Sequence, residues 1–176
     1  MTSPPSPEPA RFKFLQDPAN LTKRHLRFGW WTLLVFLVLG LVLEGLHGFK
    51  VGAYLSTKNE TRRLMWTLAH AHGTLFGIIN IVFALTVRLL PEWAARERGL
   101  ASNCLRGASL LTPAGFFLGG VRIYSGDPGL GIVLVPIGAL LLFLAVFLVA
   151  RGAGSIRTDA QGNQRGGKAA SQRGEK

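Results

Sequence analysis

A membrane-length apolar segment near the middle of the chain constrains its fold more than any other feature. The segment covers residues 64–90 and reads LMWTLAHAHGTLFGIINIVFALTVRLL. A helix needs about 20 apolar residues to cross the hydrocarbon core of a bilayer, and this segment is slightly longer. The composition agrees, because 48% of the residues are hydrophobic, only 16% are charged and the mean hydropathy is +0.30. The chain is therefore predicted to be an integral membrane protein.

Three further apolar segments predict that the chain crosses the membrane four times. The four predicted spans cover residues 30–52, 64–90, 101–124 and 130–150. Residues 1–28 are polar and rich in proline, and residues 151–176 are rich in Gly, Gln, Arg and Lys, so both tails are predicted to be disordered. We therefore expect residues 29–150 to form an all-α integral membrane four-helix bundle between two disordered termini.

Basic residues are distributed unevenly between the two sides of these spans. Fifteen of the 20 Lys and Arg lie in the two tails, in the loop between the second and third spans, or beside that loop. The other five are Lys50, Lys58, Arg62, Arg63 and Arg122. The positive-inside rule predicts cytoplasmic amino and carboxyl termini, and we expect a bacterial inner membrane. Because the basic residues flank spans and form no basic domain, the expected partner is the lipid bilayer and not nucleic acid.

Glycine spacing predicts close contacts between the helices. Small residues four apart let helix backbones approach one another in lipid. Three such pairs occur, namely Gly48 and Gly52, Gly73 and Gly77, and Gly115 and Gly119. The same surfaces are suited to a homo-oligomer or to a partner in a membrane complex.

Ionisable residues inside the spans are predicted to meet near the outer face. Glu44 and His47 lie near the end of the first span, His70 near the start of the second, and Arg122 near the end of the third. At about 1.5 Å per residue, Glu44 and His70 each lie roughly 10 Å below the outer surface. A carboxylate at that depth is costly unless it is protonated or paired. We therefore predict a polar cluster of Glu44, His47, His70 and Arg122.

Helical spacing adds three secondary candidates, His72, Asn80 and Tyr124. His70 and Asn80 lie on one stripe of small and polar residues, which we expect to be buried. His72 is rotated by about 200° from His70, so the two imidazoles are not expected to face one ligand. Tyr124 follows Arg122 at the outer end of the third span. His25, which lies among Lys23, Arg24 and Arg27, is expected to be solvated.

These residues leave three kinds of function open. His47 and His70 could ligate a haem b iron from opposite sides, or a transition metal together with Glu44, although no metal ligand is assigned with certainty. Glu44 and His70 could instead serve as acid and base towards a small lipophilic substrate. In the third alternative the protein is a non-catalytic membrane subunit or assembly factor, and the cluster only fixes the packing of the helices.

The second span also carries a resemblance to known families. The AHAHG element, from Ala69 to Gly73, resembles uncharacterised four-span bacterial membrane proteins. The four-span plan is similar to that of the small membrane hydroxylaminobenzene mutases, which have a His-Leu-Glu-Gly element where this chain has His70-Ala71-His72-Gly73. The resemblance implies a four-span fold. It assigns no catalytic residue, because His72 stands where the enzymes have glutamate.

Overall fold

The computed structural model describes residues 17–56 and 59–173, and this part of the chain is helical apart from its loops and one short hairpin. Of Ala53 and residues 155–173, only the backbone is described. Residues 1–16, 57–58 and 174–176, which belong to the predicted tails and outer loop, lie outside the described residues. The helices are α1 (Pro18–Gly48), α2 (Gly52–Leu55), α3 (Glu60–Leu89), α4 (Ala95–Val121) and α5 (Leu134–Arg173). Four of them are long and apolar enough to cross a membrane, which confirms the predicted all-α, four-span fold.

Helix α1 begins before the predicted span and includes residues assigned to the disordered tail. It starts at Pro18, whose missing N–H costs nothing in the first helical turn. The carboxylate of Asp17 accepts a hydrogen bond of 3.3 Å from a backbone N–H of that turn. Leu21 and His25 are then buried on one face of the helix. Capping and burial together explain why residues 18–28 are helical.

The third span ends three residues before its predicted end at residue 124, and a hairpin follows it. Helix α4 ends at Val121, and strands β1 (Ile123–Tyr124) and β2 (Asp127–Pro128) pair antiparallel. Ser125 and Gly126 connect them with φ angles of 50° and 96°, and two positive φ angles are typical of a type I′ hairpin turn. A 3₁₀ helix over Leu130–Val133 then leads into α5.

Helix α5 continues past Ala150, the predicted end of the fourth span. Its backbone is helical to Arg173, where the sequence predicts a disordered tail. Two contacts stabilise the first residues of the helix beyond the apolar segment. Arg151 lies 3.6 Å from the carboxylate of Glu97, and Gly152 packs so closely on the indole of Trp93 that a Cβ there would lie 2.5 Å from Nε1.

The four long helices pack in the order α1, α3, α4, α5, each mainly against the next. Accordingly, 39% of the span in α3 and 50% of that in α4 are buried, against 11% in α1 and 17% in α5. The exposed large apolar side chains of the outer helices provide the surface that faces the bilayer. We call the side with the starts of α1 and α4 the terminal face, and the side with β1 and β2 the hairpin face.

Glycines set the distance between α1 and α3. A Cβ on Gly29 would lie 2.8 Å from the carbonyl oxygen of Gly77, and one on Gly73 would lie 2.2 Å from the ring of Phe36. Gly48 and Gly52 form no such contact, since α1 ends at Gly48 and nothing lies within 4 Å of a Cβ at either position. That predicted pair is therefore not a packing motif.

The third predicted glycine pair lies where α4 meets the start of α5. A Cβ on Gly115 would lie 2.9 Å from Val135 and 3.1 Å from the carbonyl oxygen of Gly131. At Gly119 the nearest atom would be 3.6 Å away, which is an ordinary van der Waals distance. Of this pair, only Gly115 is at a position where a side chain would clash with the start of α5.

Candidate functional site

Two residues of the predicted cluster, Glu44 and His70, line one groove between α1 and α3. The groove lies towards the hairpin face and has a volume of about 370 Å³. Glu44, His70 and Thr67 supply its polar groups, and leucines of α1 supply the apolar wall. Glu44 is exposed and His70 is half-buried. Because the outer surface of α1 is apolar, the groove opens towards the bilayer.

The imidazole of His70 is held in one tautomer by a backbone carbonyl. Its Nδ1 lies 2.7 Å from the carbonyl oxygen of Phe36 on α1. A carbonyl oxygen only accepts hydrogen bonds, so Nδ1 donates and Nε2 of the neutral ring is an acceptor. The described residues offer Nε2 no hydrogen-bond partner. The ring also occupies the space in front of Gly40, where a Cβ would lie 2.4 Å from it.

The other residues of the predicted cluster do not line this groove. His47 is exposed in the last turn of α1. Arg122 and Tyr124 are both exposed in the segment that follows α4. The cluster was predicted from depth in the membrane, but α4 packs on α3 and α5 and makes little contact with α1. The groove of Glu44 and His70 is thus separated from Arg122.

A metal site would need more ligands in one place than the fold provides within residues 17–56 and 59–173. No group of three or more His, Cys, Asp or Glu side chains comes together there. A haem iron ligated by His47 and His70 would need both imidazoles to face one groove, and only His70 does so.

His72 points away from His70, as the helical spacing predicts. Its Nδ1 donates to the carbonyl oxygen of Leu68 in its own helix at 2.9 Å. Its ring packs against Phe116 of α4, with the ring centroids 4.8 Å apart. His72 therefore contributes to the packing of α3 on α4.

A second polar group, absent from the sequence prediction except for Asn80, joins three helices near the terminal face. His25 of α1, Asn80 of α3 and Ser102 of α4 are almost completely buried. The imidazole of His25 lies 2.7 Å from Asn80 Oδ1 through Nδ1 and 2.7 Å from Ser102 Oγ through Nε2. Asn80 Nδ2 donates to Ser109 Oγ and to the carbonyl oxygen of Phe76, each at 2.8 Å.

Hydrogen-bond counting assigns the protons of this network. Both hydrogens of Asn80 Nδ2 are donated, so its Oδ1 accepts from His25 Nδ1. His25 Nε2 then accepts from the hydroxyl of Ser102. Ser109 donates to the carbonyl oxygen of Leu105 at 2.7 Å. Since both imidazole nitrogens are satisfied and His25 is 0% exposed, this network stabilises the packing of helices and offers no site for a ligand.

The expectation that His25 is solvated is wrong, and a signal for its burial was present in the sequence. Leu21, His25, Gly29 and Thr32 are spaced by four, four and three residues, which places them on one helix face. All four are buried. The basic residues beside His25 lie on other faces of α1. The prediction was wrong because it considered the neighbours of His25 in the sequence and not its neighbours on the helix face.

Comparisons of the chain with protein-family models, with curated proteins and with solved structures find no match.

Proposed function

We propose that this multi-pass membrane protein binds a membrane-soluble molecule with a hydrogen-bond-donating head in the groove of Glu44 and His70. The observation that carries the proposal is the hydrogen bond of 2.7 Å from His70 Nδ1 to the carbonyl oxygen of Phe36. This bond leaves Nε2 as an acceptor in a groove that also contains a carboxylate. His25, by contrast, has both ring nitrogens satisfied by protein groups.

The polar groups of the groove select the chemistry of the head. A carboxylate oxygen and the Nε2 of a histidine whose Nδ1 donates both accept hydrogen bonds, and no Lys or Arg side chain lines the groove. A protonated amine or a hydroxyl group therefore complements them better than an anionic head. A cationic amine also provides the counter-charge that a carboxylate at this depth requires. An alkyl amine, with its tail in lipid and its ammonium group at Glu44, is the simplest ligand of this class.

Binding of radiolabelled dodecylamine to the detergent-purified protein tests the proposal. Hydrogen bonds to charged groups contribute about 1.5–3 kcal/mol, so Glu44→Gln should weaken amine binding by about tenfold or more. Dodecanol binding should change less than threefold, because the glutamine still accepts a hydrogen bond. Glu60→Gln, which changes an exposed glutamate in the first turn of α3, is the matched control. Equal amine affinity in wild type and Glu44→Gln would reject the proposal.

A second candidate is a non-catalytic subunit or assembly factor in which His70 only fixes helix packing. The observation that favours it is the fit of the His70 ring in front of Gly40, where no side chain could replace Gly40 without moving the imidazole. In that case no amine binds, and replacing His70 lowers stability alone. An absorption spectrum of the same preparation tests the haem hypothesis, since a Soret band lost in His70→Ala would support it.

We also propose that the terminal face is cytoplasmic and that the protein resides in a bacterial inner membrane. The excess of Lys and Arg in the segments on that side supports this orientation. The single cysteine, Cys104, is buried and can be replaced by alanine before topology mapping. Single cysteines at Lys23 and at Tyr124 should then react with a membrane-impermeant maleimide from the inside and from the outside, respectively. The opposite labelling pattern would reverse the assignment.

A further inference from the structure

A larger groove lies on the opposite side of α1, between α1 and α4. Its volume is about 540 Å³, within the range of about 300–1,000 Å³ that is usual for small-molecule sites. Four aromatic side chains contribute to its wall, namely Phe28, Trp31, Phe36 and Phe117. The groove exists because α1 and α4 contact each other near the terminal face, where His25 meets Ser102, and otherwise have little contact.

Thr32 offers this groove a hydroxyl group that has no partner among the described residues. Thr32 lines the groove, and its side chain is only 9% exposed. Within the described residues its hydroxyl makes no hydrogen bond. The other hydroxyl of the groove, that of Ser109, already donates to the carbonyl oxygen of Leu105 and accepts from Asn80. A ligand in this groove therefore meets the O–H of Thr32 as a free donor, beside the indole N–H of the largely exposed Trp31.

The charge beside the groove disfavours a cationic occupant. The guanidinium of Arg106 lies 5.7 Å from the ring centre of Phe28, which forms part of the wall. No carboxylate lines the groove. A neutral ligand whose head accepts a hydrogen bond satisfies both the hydroxyl of Thr32 and this positive potential.

We propose that the groove between α1 and α4 binds a lipid-soluble quinone, with one ring carbonyl accepting a hydrogen bond from Thr32. The flat ring packs among the aromatic side chains, for which offset or edge-to-face contacts are favourable. The isoprenoid tail remains in the bilayer, because the groove opens between two lipid-facing helices. The site is independent of the groove that contains Glu44 and His70, which lies on the other side of α1.

Equilibrium dialysis of the purified protein with menadione, a quinone without a tail, tests the proposal. Thr32→Val keeps the shape of the side chain and removes its donor, so it should weaken menadione binding about threefold to tenfold. Binding of 2-methylnaphthalene, which has no carbonyl group, should be the same in both proteins. Thr86→Val removes a hydroxyl that donates to the carbonyl oxygen of Val82 outside this groove, and it should leave both affinities unchanged.

A second variant tests the location and the alternative occupants. Ala114→Leu places additional volume in the groove and should weaken the binding of both ring compounds at least tenfold, with an unchanged helix content. The proposal is overturned if menadione does not bind, if Thr32→Val binds it as wild type does, or if Ala114→Leu leaves its affinity unchanged. A wild-type dimer that Ala114→Leu converts to a monomer would also overturn it, because the groove would then hold a second copy of the chain. Glu44→Gln should not alter menadione binding, so this test and that of the amine site fail independently.

Discussion

Replacement of Asn80 by leucine should destabilise the fold, because it leaves a buried imidazole nitrogen of His25 without its hydrogen-bond partner. Leucine is similar in size and shape to asparagine but cannot accept the hydrogen bond from His25 Nδ1 or donate to Ser109 Oγ. Ser109 retains its bond to the carbonyl oxygen of Leu105. Ser102 can pair with only one imidazole nitrogen of His25, and His25 is 0% exposed. The variant therefore leaves the other imidazole nitrogen without a hydrogen-bond partner in the interior.

The magnitude follows from the number of bonds lost. A buried donor or acceptor without a partner costs about 1–3 kcal/mol. Hydrogen bonds between membrane helices contribute about 0.6 kcal/mol each on average, and two of them are lost in Asn80→Leu. The additional apolar surface of leucine offsets part of this loss. We expect the free energy of unfolding to fall by about 2 kcal/mol, or about 30-fold in the equilibrium constant.

Unfolding of the detergent-solubilised protein by dodecyl sulfate, followed by circular dichroism, measures this difference. Thr74→Val is the matched control, because Thr74 donates only to the carbonyl oxygen of His70 within its own helix. The control should change the free energy of unfolding by less than about 0.5 kcal/mol. A loss below that value in Asn80→Leu, or a loss equal to that of the control, would refute the reasoning about the unpaired imidazole nitrogen.

A double-mutant cycle with His25→Phe separates this effect from lost packing. Phenylalanine retains a ring beside Phe83, whose centroid lies 4.5 Å from that of His25. The single variant leaves Asn80 Oδ1 and the hydroxyl of Ser102 without their partner. In the double variant with Asn80→Leu neither member of the central pair remains, so the total loss should be smaller than the sum by about 1 kcal/mol. Strictly additive losses would show that the hydrogen bond between the two residues contributes little.

Two further substitutions test the backbone contact between α1 and α3 and the loop between α3 and α4. Gly29→Ala should lower the free energy of unfolding by about 1–3 kcal/mol, because its Cβ would lie 2.8 Å from the carbonyl oxygen of Gly77. Gly45→Ala is the control, because the space around Gly45 is open. This variant should be neutral or stabilising by up to about 1 kcal/mol. Arg98→Met removes charged hydrogen bonds of 2.9 and 3.4 Å to two carbonyl oxygens of the loop, and it should lower the free energy of unfolding by about 2 kcal/mol. Proteolysis of the loop between α3 and α4 should be faster in Arg98→Met than in the control Arg96→Met.

The number and approximate position of the spans could be predicted because hydrophobic length alone determines them. The first residues of the helices were less predictable where burial or capping, and not hydrophobic composition, determines the start of the helix. The start of α1 at Pro18 depends on the cap from Asp17, and the start of α4 at Ala95 places Arg98 in a buried position. Neither effect is visible in a hydropathy profile, which treats both segments as polar.

The composition of the site could be predicted only in part, because it depends on which helices are neighbours. Glu44 and His70 share a groove because consecutive antiparallel spans place them at similar depth, an argument that needs only the sequence. Arg122 was assigned to the same cluster because it was predicted to lie at the same depth. The observed order, with α4 on the far side of α3 from most of α1, separates it from Glu44. Helix order in lipid is set by close packing such as that at Gly29, which hydropathy does not encode.

Hydrogen-bond capacity distinguishes the roles of His25 and His70, the two histidines that donate a hydrogen bond to a neighbouring helix. His25 and His70 both use Nδ1 as a donor to another helix, at 2.7 Å in each case. They differ at Nε2, which accepts from Ser102 in His25 and has no partner among the described residues in His70. A satisfied imidazole gains nothing from a ligand, whereas an unsatisfied acceptor beside Glu44 gains a hydrogen bond when a donor arrives. Ligand binding is therefore expected at His70, and a stability role at His25.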